Sequence, residues 1–192
     1  MTPIQALKAD TYRIFGKTGW RLTAIAFLKN RTFRVILSAR LCQAMNNKGG
    51  FSRRLLLPIL QMFHLFTTQL AGLDFSWRTK VGAGLAITHG WGLVVNPHAT
   101  IGSNVTLFHG VTLGRKDSLT PGGGGEFPIG EDEVWIGPHA IIVGGVVIGR
   151  GSRIAGGSFV TESIPPRSIV VGNPARIVKS DCVPDCMNRI SL

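Results

Sequence analysis

Three cysteines, Cys42, Cys182 and Cys186, are too few for the disulfide framework of a small secreted domain. Two of them sit in the C-terminal stretch DCVPDC, where a zinc site would need two further ligands that the sequence does not supply. No metal requirement is expected. Acidic residues are scarce as well, ten against 21 lysines and arginines, and the shortage is local. Residues 1–80 hold 13 of the basic residues but only two acidic ones, Asp10 and Asp74, so the whole net charge of +11 belongs to that segment. A helix-turn-helix signature and an aromatic-rich recognition module are both missing, which argues against nucleic acid as the partner of this charge. The opening MTPIQALKADTYRIFG lacks the hydrophobic region of a signal peptide. The expected location is cytoplasmic, either free or peripheral on the inner face of the cytoplasmic membrane.

A hydrophobic content of 44% is enough for a real core, and 25 glycines without a collagen period must serve turns and loops. Residues 1–72 are predicted to form several short helices, with a break at Asn46–Gly50 and a kink at Pro58. The stretch from Leu55 to Leu73 carries no formal charge and is long enough to span a bilayer. Its Gln61, His64, Thr67, Thr68 and Gln69 are too polar for a span, so a helix packed in an oligomer or lying on an anionic membrane surface is expected, with Arg53 and Arg54 at its start. This basic helical leader is read as one unit, residues 73–178 as a second, and residues 179–192 as a tail.

From Val81 onward aliphatic residues recur every six positions. They are Val81, Ile87 and Leu93; then, after an offset of two, Val95, Ile101, Leu107 and Leu113; and later Ile136, Ile142, Ile148, Ile154 and Val160. Period six fits neither an amphipathic helix nor simple strand alternation. It predicts a mainly β fold, a parallel β-helix in which each six-residue unit forms one flat side with one aliphatic side chain pointing inward. The period lapses between Leu113 and Ile136, where GRKDSLTPGGGGEFPIG reads as a loop extruded from the wall over about residues 115–128. Long loops on a rigid scaffold are a common seat of function.

Four stretches carry a family resemblance: ITHGWG, IGSNVTLFHGVTLGR, the glycine-rich excursion after it, and IPPRSIVVGNPARIV. Over about Leu73 to Val178 the chain resembles the hexapeptide-repeat acyltransferases of the serine acetyltransferase-like branch. The resemblance implies a left-handed β-helix, a homotrimer with active sites between subunits, and acetyl-CoA as donor. It implies that His89 is the general base, taking the proton of a substrate hydroxyl as its oxygen attacks the thioester. Asp74, one coil earlier, would hold the histidine's other nitrogen. His109, about one coil after His89, would line the same cleft, whereas His98 and His139 read as ordinary turn residues. On the donor side, the resemblance and the glycine pattern point to Gly114, Arg115, Gly156, Gly157 and Ser158 against pantetheine, with Arg176 and Lys179 near the phosphates.

Several positions depart from the serine-specific pattern. Thr88 stands where those members have Asp, Asn96-Pro97-His98 where they have Gly-Glu-Thr, and Glu126-Phe127-Pro128 where they have Arg-His-Pro. With that grip on an amino acid missing, the chain is similar to the small O-acetyltransferases of exopolysaccharide and capsule synthesis, such as the colanic acid enzymes. This implies a saccharide hydroxyl as acceptor, with Trp91 and Phe127 offering aromatic faces to sugar rings. Serine or another small hydroxyl compound is the alternative.

Overall fold

Each six-residue unit forms one short strand and a corner, and three units complete a turn. The structure, a computed structural model, describes residues 1–48, 50–117, 125–184 and 186–191. The first turn is β1 (Asp74–Phe75), β2 (Lys80–Val81) and β3 (Ala86–Thr88); the second is β4 (Val94–Val95), β5 (Thr100–Ile101) and β6 (Thr106–Phe108). The third is β7 (Thr112–Gly114), β8 (Ile129–Gly130) and β9 (Trp135–Ile136), and the fourth β10 (Ile141–Val143), β11 (Val147–Ile148) and β12 (Arg153–Ile154). A shorter last turn has β13 (Phe159–Val160) and β14 (Ile169–Val171), and β15 (Arg176–Lys179) folds back antiparallel on β14. Equivalent strands of successive turns pair in parallel and build three flat sheets. The chain is thus the expected parallel β-helix with a helical segment in front.

The pairing register identifies the inward columns. One runs Phe75, Val95, Leu113, Ile142, Val160; another runs Ile87, Leu107, Ile136, Ile154 and, in β14, Val170. Nearly all are less than 4% exposed, and burying each such side chain contributes about 1.5–3 kcal/mol. Leu93 is buried too, but it belongs to a second inward row and not to the paired ladder, in which Val94 and Val95 face Asp74 and Phe75. The interval from Ile87 to its successor Val95 is therefore eight residues in place of six. This corner carries two extra residues, and they fall in the turn around His89. The tip of the expected extruded loop, 118–124, lies outside the described residues; at its base Lys116 and Glu126 exchange backbone hydrogen bonds of 3.1 Å.

Ahead of the solenoid lie α1 (Pro3–Phe15), α2 (Trp20–Lys29), α3 (Arg31–Asn46) and α4 (Gly50–Ala71). The break falls where expected, and Pro58, the position of the expected kink, lies inside α4. Among the described residues no helix is long and apolar enough to cross a membrane. One side of α4 nevertheless leaves Phe51, Ile59, Met62, Leu65 and Phe66 exposed. Charge divides the chain more sharply than packing does, because Val35, Ile36 and Ala39 of α3 share one buried cluster with Phe75, Leu85 and Ile87.

Two buried polar groups fasten the helices to the solenoid. Asp10 of α1 is fully buried; its carboxylate accepts from Arg40 Nε and from the Leu85 amide, both at 2.9 Å. The same guanidinium donates to the carbonyls of Val81 (2.9 Å) and Gly82 (2.6 Å). His64 of α4 lies with Nε2 2.8 Å from the Phe75 carbonyl and Nδ1 2.8 Å from Ser38 Oγ, so Nε2–H donates and Nδ1 accepts from the hydroxyl. Burial pushes the His64 pKa down, against the smaller opposing pull of the Phe75 carbonyl. The folded state then keeps this ring neutral while the unfolded chain takes up a proton below about pH 6.5. Its contribution to stability is complete above that pH and is lost as the pH falls toward the lowered folded value. Melting temperatures of wild type and His64→Gln, each followed from pH 8 to 5, should show the steeper fall in wild type; parallel curves would remove His64 from the acid response.

Candidate active site

The corner between β3 and β4 is His89-Gly90-Trp91-Gly92. His89, Gly90 and Gly92 all have φ between 64 and 68°, left-handed values that glycine adopts freely and histidine more readily than most residues. Gly90 has no alternative, because a Cβ there would lie 2.5 Å from Thr32 Cγ2. Two surplus residues and this tight curl push the His89 ring out of the wall, where it is exposed.

Backbone bonds stack the equivalent corners below it. Gly110 N–H donates to Trp91 O (2.8 Å), His139 N–H to His109 O (3.0 Å) and Gly157 N–H to Pro138 O (2.8 Å). The rings follow: His89 and His109 are 5.9 Å apart, His109 and His139 4.9 Å, both edge to face. Buried His109 Nδ1 has no hydrogen-bond partner. His139, read from sequence as an ordinary turn residue, does sit in a turn with φ 57°, and its ring is also the third member of this column. Gly110 makes room for it, since a Cβ there would sit 2.2 Å from His139 Nδ1.

The first turn of α3 braces the His89 turn from outside. Arg31 donates to the His89 carbonyl and lays its guanidinium 3.7 Å from the centroid of the Trp91 ring. Thr32 Oγ1 lies 2.8 Å from the Ile87 carbonyl. Trp91, expected as a sugar platform, is therefore half-covered by an arginine and 56% exposed. Arg31 was not flagged by the sequence. It stands 58 residues from His89, and no local period links them.

The other expected residues divide between this edge and elsewhere. Asp74 is one coil before His89, its amide bonded to Leu93 O at 2.8 Å just past the turn. Its carboxylate is exposed and makes no hydrogen bond or ion pair with His89 among the described residues. Gly156 and Gly157 occupy the same edge as the histidines, two coils below His109, and nothing approaches within 4 Å of a Cβ built on Gly157. Ser158 is buried and its Oγ accepts from Gly172 N–H at 3.2 Å, a structural bond. Gly114 ends β7, and Arg115 beside it is exposed and ion-paired with Asp117. Arg176 and Lys179 lie exposed on β15. Phe127 packs on His98, ring centroids 4.8 Å apart, at the corner between the first and second sheets, and the single chain does not bring it to His89.

Beside His89, between the helices and the third sheet, opens a cavity of about 860 Å³. Thr88 and His89 form one end, and Phe108 and Trp135, 4.8 Å apart, lie along its wall. Nothing in the six-residue period sets these two aromatics apart, because both are outward positions of their strands.

Residues 131–162 match the family model described as bacterial transferase hexapeptide (six repeats). The chain is 34% identical over 156 residues to a serine acetyltransferase of Escherichia coli, covering 81% of this chain and 53% of that one. It is 37% identical over 113 residues to the serine acetyltransferase of Mycobacterium tuberculosis, covering 59% of this chain and 48% of that one. The chain spans about half the length of such curated relatives. Among solved structures, that of Neisseria gonorrhoeae serine acetyltransferase in complex with serine superposes with a TM-score of 0.72 at 30% identity, covering 92% of this chain and 69% of that one. Soybean serine acetyltransferase complexed with serine gives 0.72 at 29%, covering 92% and 70%.

Proposed function

The chain belongs to the bacterial hexapeptide-repeat transferases, and on that premise we propose that it moves an acetyl group from acetyl-CoA to a hydroxyl. The observation that carries the proposal is His89, held outward on a braced left-handed turn at the head of an edge that ends in the open Gly157. A hydroxyl is a poor nucleophile at neutral pH, and imidazole is the side chain whose ordinary titration range lies nearest. His89 removes the hydroxyl proton while that oxygen bonds to the acetyl carbon. As the carbon–sulfur bond breaks, the same ring returns the proton to the departing sulfur, so no covalent enzyme adduct is needed. Bound acetyl-CoA supplies an activated acyl carbon. Gly157 offers it unobstructed backbone on the edge below His139, with Gly156 packed against Pro138 beside it, and Arg176 and Lys179 are exposed cations for its phosphates. Asp74, exposed one coil before His89, is the candidate to orient its ring. Three copies, the usual state of the family, would close this edge into a cleft.

Two acceptors have support. The relatives' names favour serine. The substitutions at Thr88, Asn96-Pro97-His98 and Glu126-Phe127-Pro128, with the aromatic wall of Phe108 and Trp135, favour a saccharide hydroxyl. Release of free CoA from acetyl-CoA by purified protein, with serine in one reaction and a panel of saccharides in others, is expected to exceed the acceptor-free rate. Turnover of serine alone would remove the saccharide reading, turnover of saccharide alone the serine reading, and no release with either class the proposal of acetyl transfer to them.

A further inference from the structure

The cavity next to His89 has an unusual charge. Arg13, Lys29, Arg31 and Arg34 all line it, and none of its described lining residues is acidic. None of the four forms an ion pair with a carboxylate among the described residues. Arg34 is spent in part on the carbonyls of Phe27 and Leu28, each at 2.7 Å, and Arg31 on the His89 turn. Lys29, exposed at the end of α2, makes no hydrogen bond among the described residues. Arg13 is only 5% exposed, yet its Nε–H is buried without a partner. The α3 N-terminus lines the same space through Asn30, Arg31, Thr32 and Phe33; Asn30 Oδ1 accepts from the Thr32 and Phe33 amides, so the 16-residue helix contributes the positive end of its dipole and not those two donors.

Cations gathered without carboxylate counter-charges, beside the positive end of a helix, describe a site for an anion. Opposite them stand Phe108 and Trp135, aromatic rings of the kind that stack on the carbon face of a sugar, with the Arg153 guanidinium 4.6 Å from the Trp135 centroid. His89 closes one end. A volume of about 860 Å³ holds a ligand far larger than a bare phosphate or a serine.

We propose that this cavity is the acceptor site and takes a sugar bearing a phosphate or diphosphate, its anion held by Lys29, Arg31 and Arg34 and its ring against Phe108 and Trp135, with a hydroxyl turned to His89. The inference rests on the acetyl-transfer reading of His89. In the step itself the sugar oxygen gains the acetyl carbon, the thioester carbon–sulfur bond breaks, and the hydroxyl proton ends on CoA. The donor keeps the glycine edge, so its own phosphates do not need this cavity.

The full chain should be tested in two ways. Calorimetry with inorganic pyrophosphate should show binding that weakens about tenfold in Lys29→Ala, the worth of one charge-assisted hydrogen bond, and further in Lys29→Glu. Free CoA release should then be compared for a free sugar, its 1-phosphate, a nucleoside diphosphate sugar and a lipid-linked sugar diphosphate. Phosphorylated acceptors are expected to exceed the free sugar at least tenfold in kcat/KM, and Lys29→Ala to raise their KM about tenfold. The ranking among the three phosphorylated arms tells which source carries the group. Equal use of free and phosphorylated sugars, better use of serine than of any of them, or a Lys29→Ala effect that falls on the KM of acetyl-CoA would each overturn the proposal. Pyrophosphate binding lost in Lys29→Ala, without CoA release for any acceptor, would keep the anion site and discard acetyl transfer.

Discussion

His89→Ala is expected to lower turnover by about two to four orders of magnitude, the usual worth of a positioned acid–base group. Affinity for CoA should stay close to wild type, because the glycine corner that would receive the donor lies three coils below. The expectation depends on the ring and not on the turn. A second variant separates the two: asparagine also tolerates the left-handed backbone found at position 89, φ 64°, but it cannot serve as a base near neutral pH. His89→Asn should therefore melt like wild type and still lose the rate, whereas a merely structural histidine would show the reverse. Free CoA release on the working acceptor, CoA binding by calorimetry and thermal melts decide the matter together. A wild-type rate in either variant would end the assignment of His89 as base.

The largest effect on stability is expected at Asp10. Asp10→Ala removes a fully buried carboxylate that answers both the Arg40 guanidinium and the Leu85 amide, and it leaves a buried cation uncompensated. Breaking such a pair from one side costs about 3–5 kcal/mol. Arg40→Ala should cost about as much, since it strands Asp10 and also the carbonyls of Val81 and Gly82. The double variant Asp10→Leu/Arg40→Met should lose much less than the two singles added together, because no charge is left buried. Urea unfolding at one fixed protein concentration measures all three. Single losses below about 1 kcal/mol would mean that the pair is exposed to solvent in practice and does not fasten α1 and α3 to the solenoid.

The residues that could be read from the sequence were those bound to the period. Ile136 to Val160 stand in the inward columns where the spacing places them, and His89 follows from a turn of recognisable composition. The ladder was incomplete at its ends for local reasons. Phe75 precedes the first regular unit. Ile164 follows Val160 by four residues because the last turn is shorter, and Gly130 takes an inward position with no side chain to show a pattern. The offset of two is visible in the sequence, where the spacing sets it after Leu93; pairing places it between Ile87 and Val95, around the histidine itself. What escaped were partners joined across the fold. Arg31 to His89, Asp10 to Arg40 and His64 to Phe75 each link a helix to another element, and only tertiary packing selects them from many similar arginines, aspartates and histidines. Phe108 and Trp135 were hidden because outward strand positions accept any residue, and only the helices opposite turn that surface into a cavity.

The corner at His89 also bears on how such a protein can change. A solenoid rung is a closed loop of fixed length, and an insertion within a strand would shift every later side chain off its column. Residues added at a corner leave the columns below in register, as the pairing of Phe75 with Val95 and of Ile87 with Leu107 demonstrates. Reactive groups can therefore be lengthened, replaced or lost at this vertex while the stack beneath keeps its packing. In this architecture the inheritance of the scaffold and the inheritance of the chemistry are separable, and the vertex is where they part.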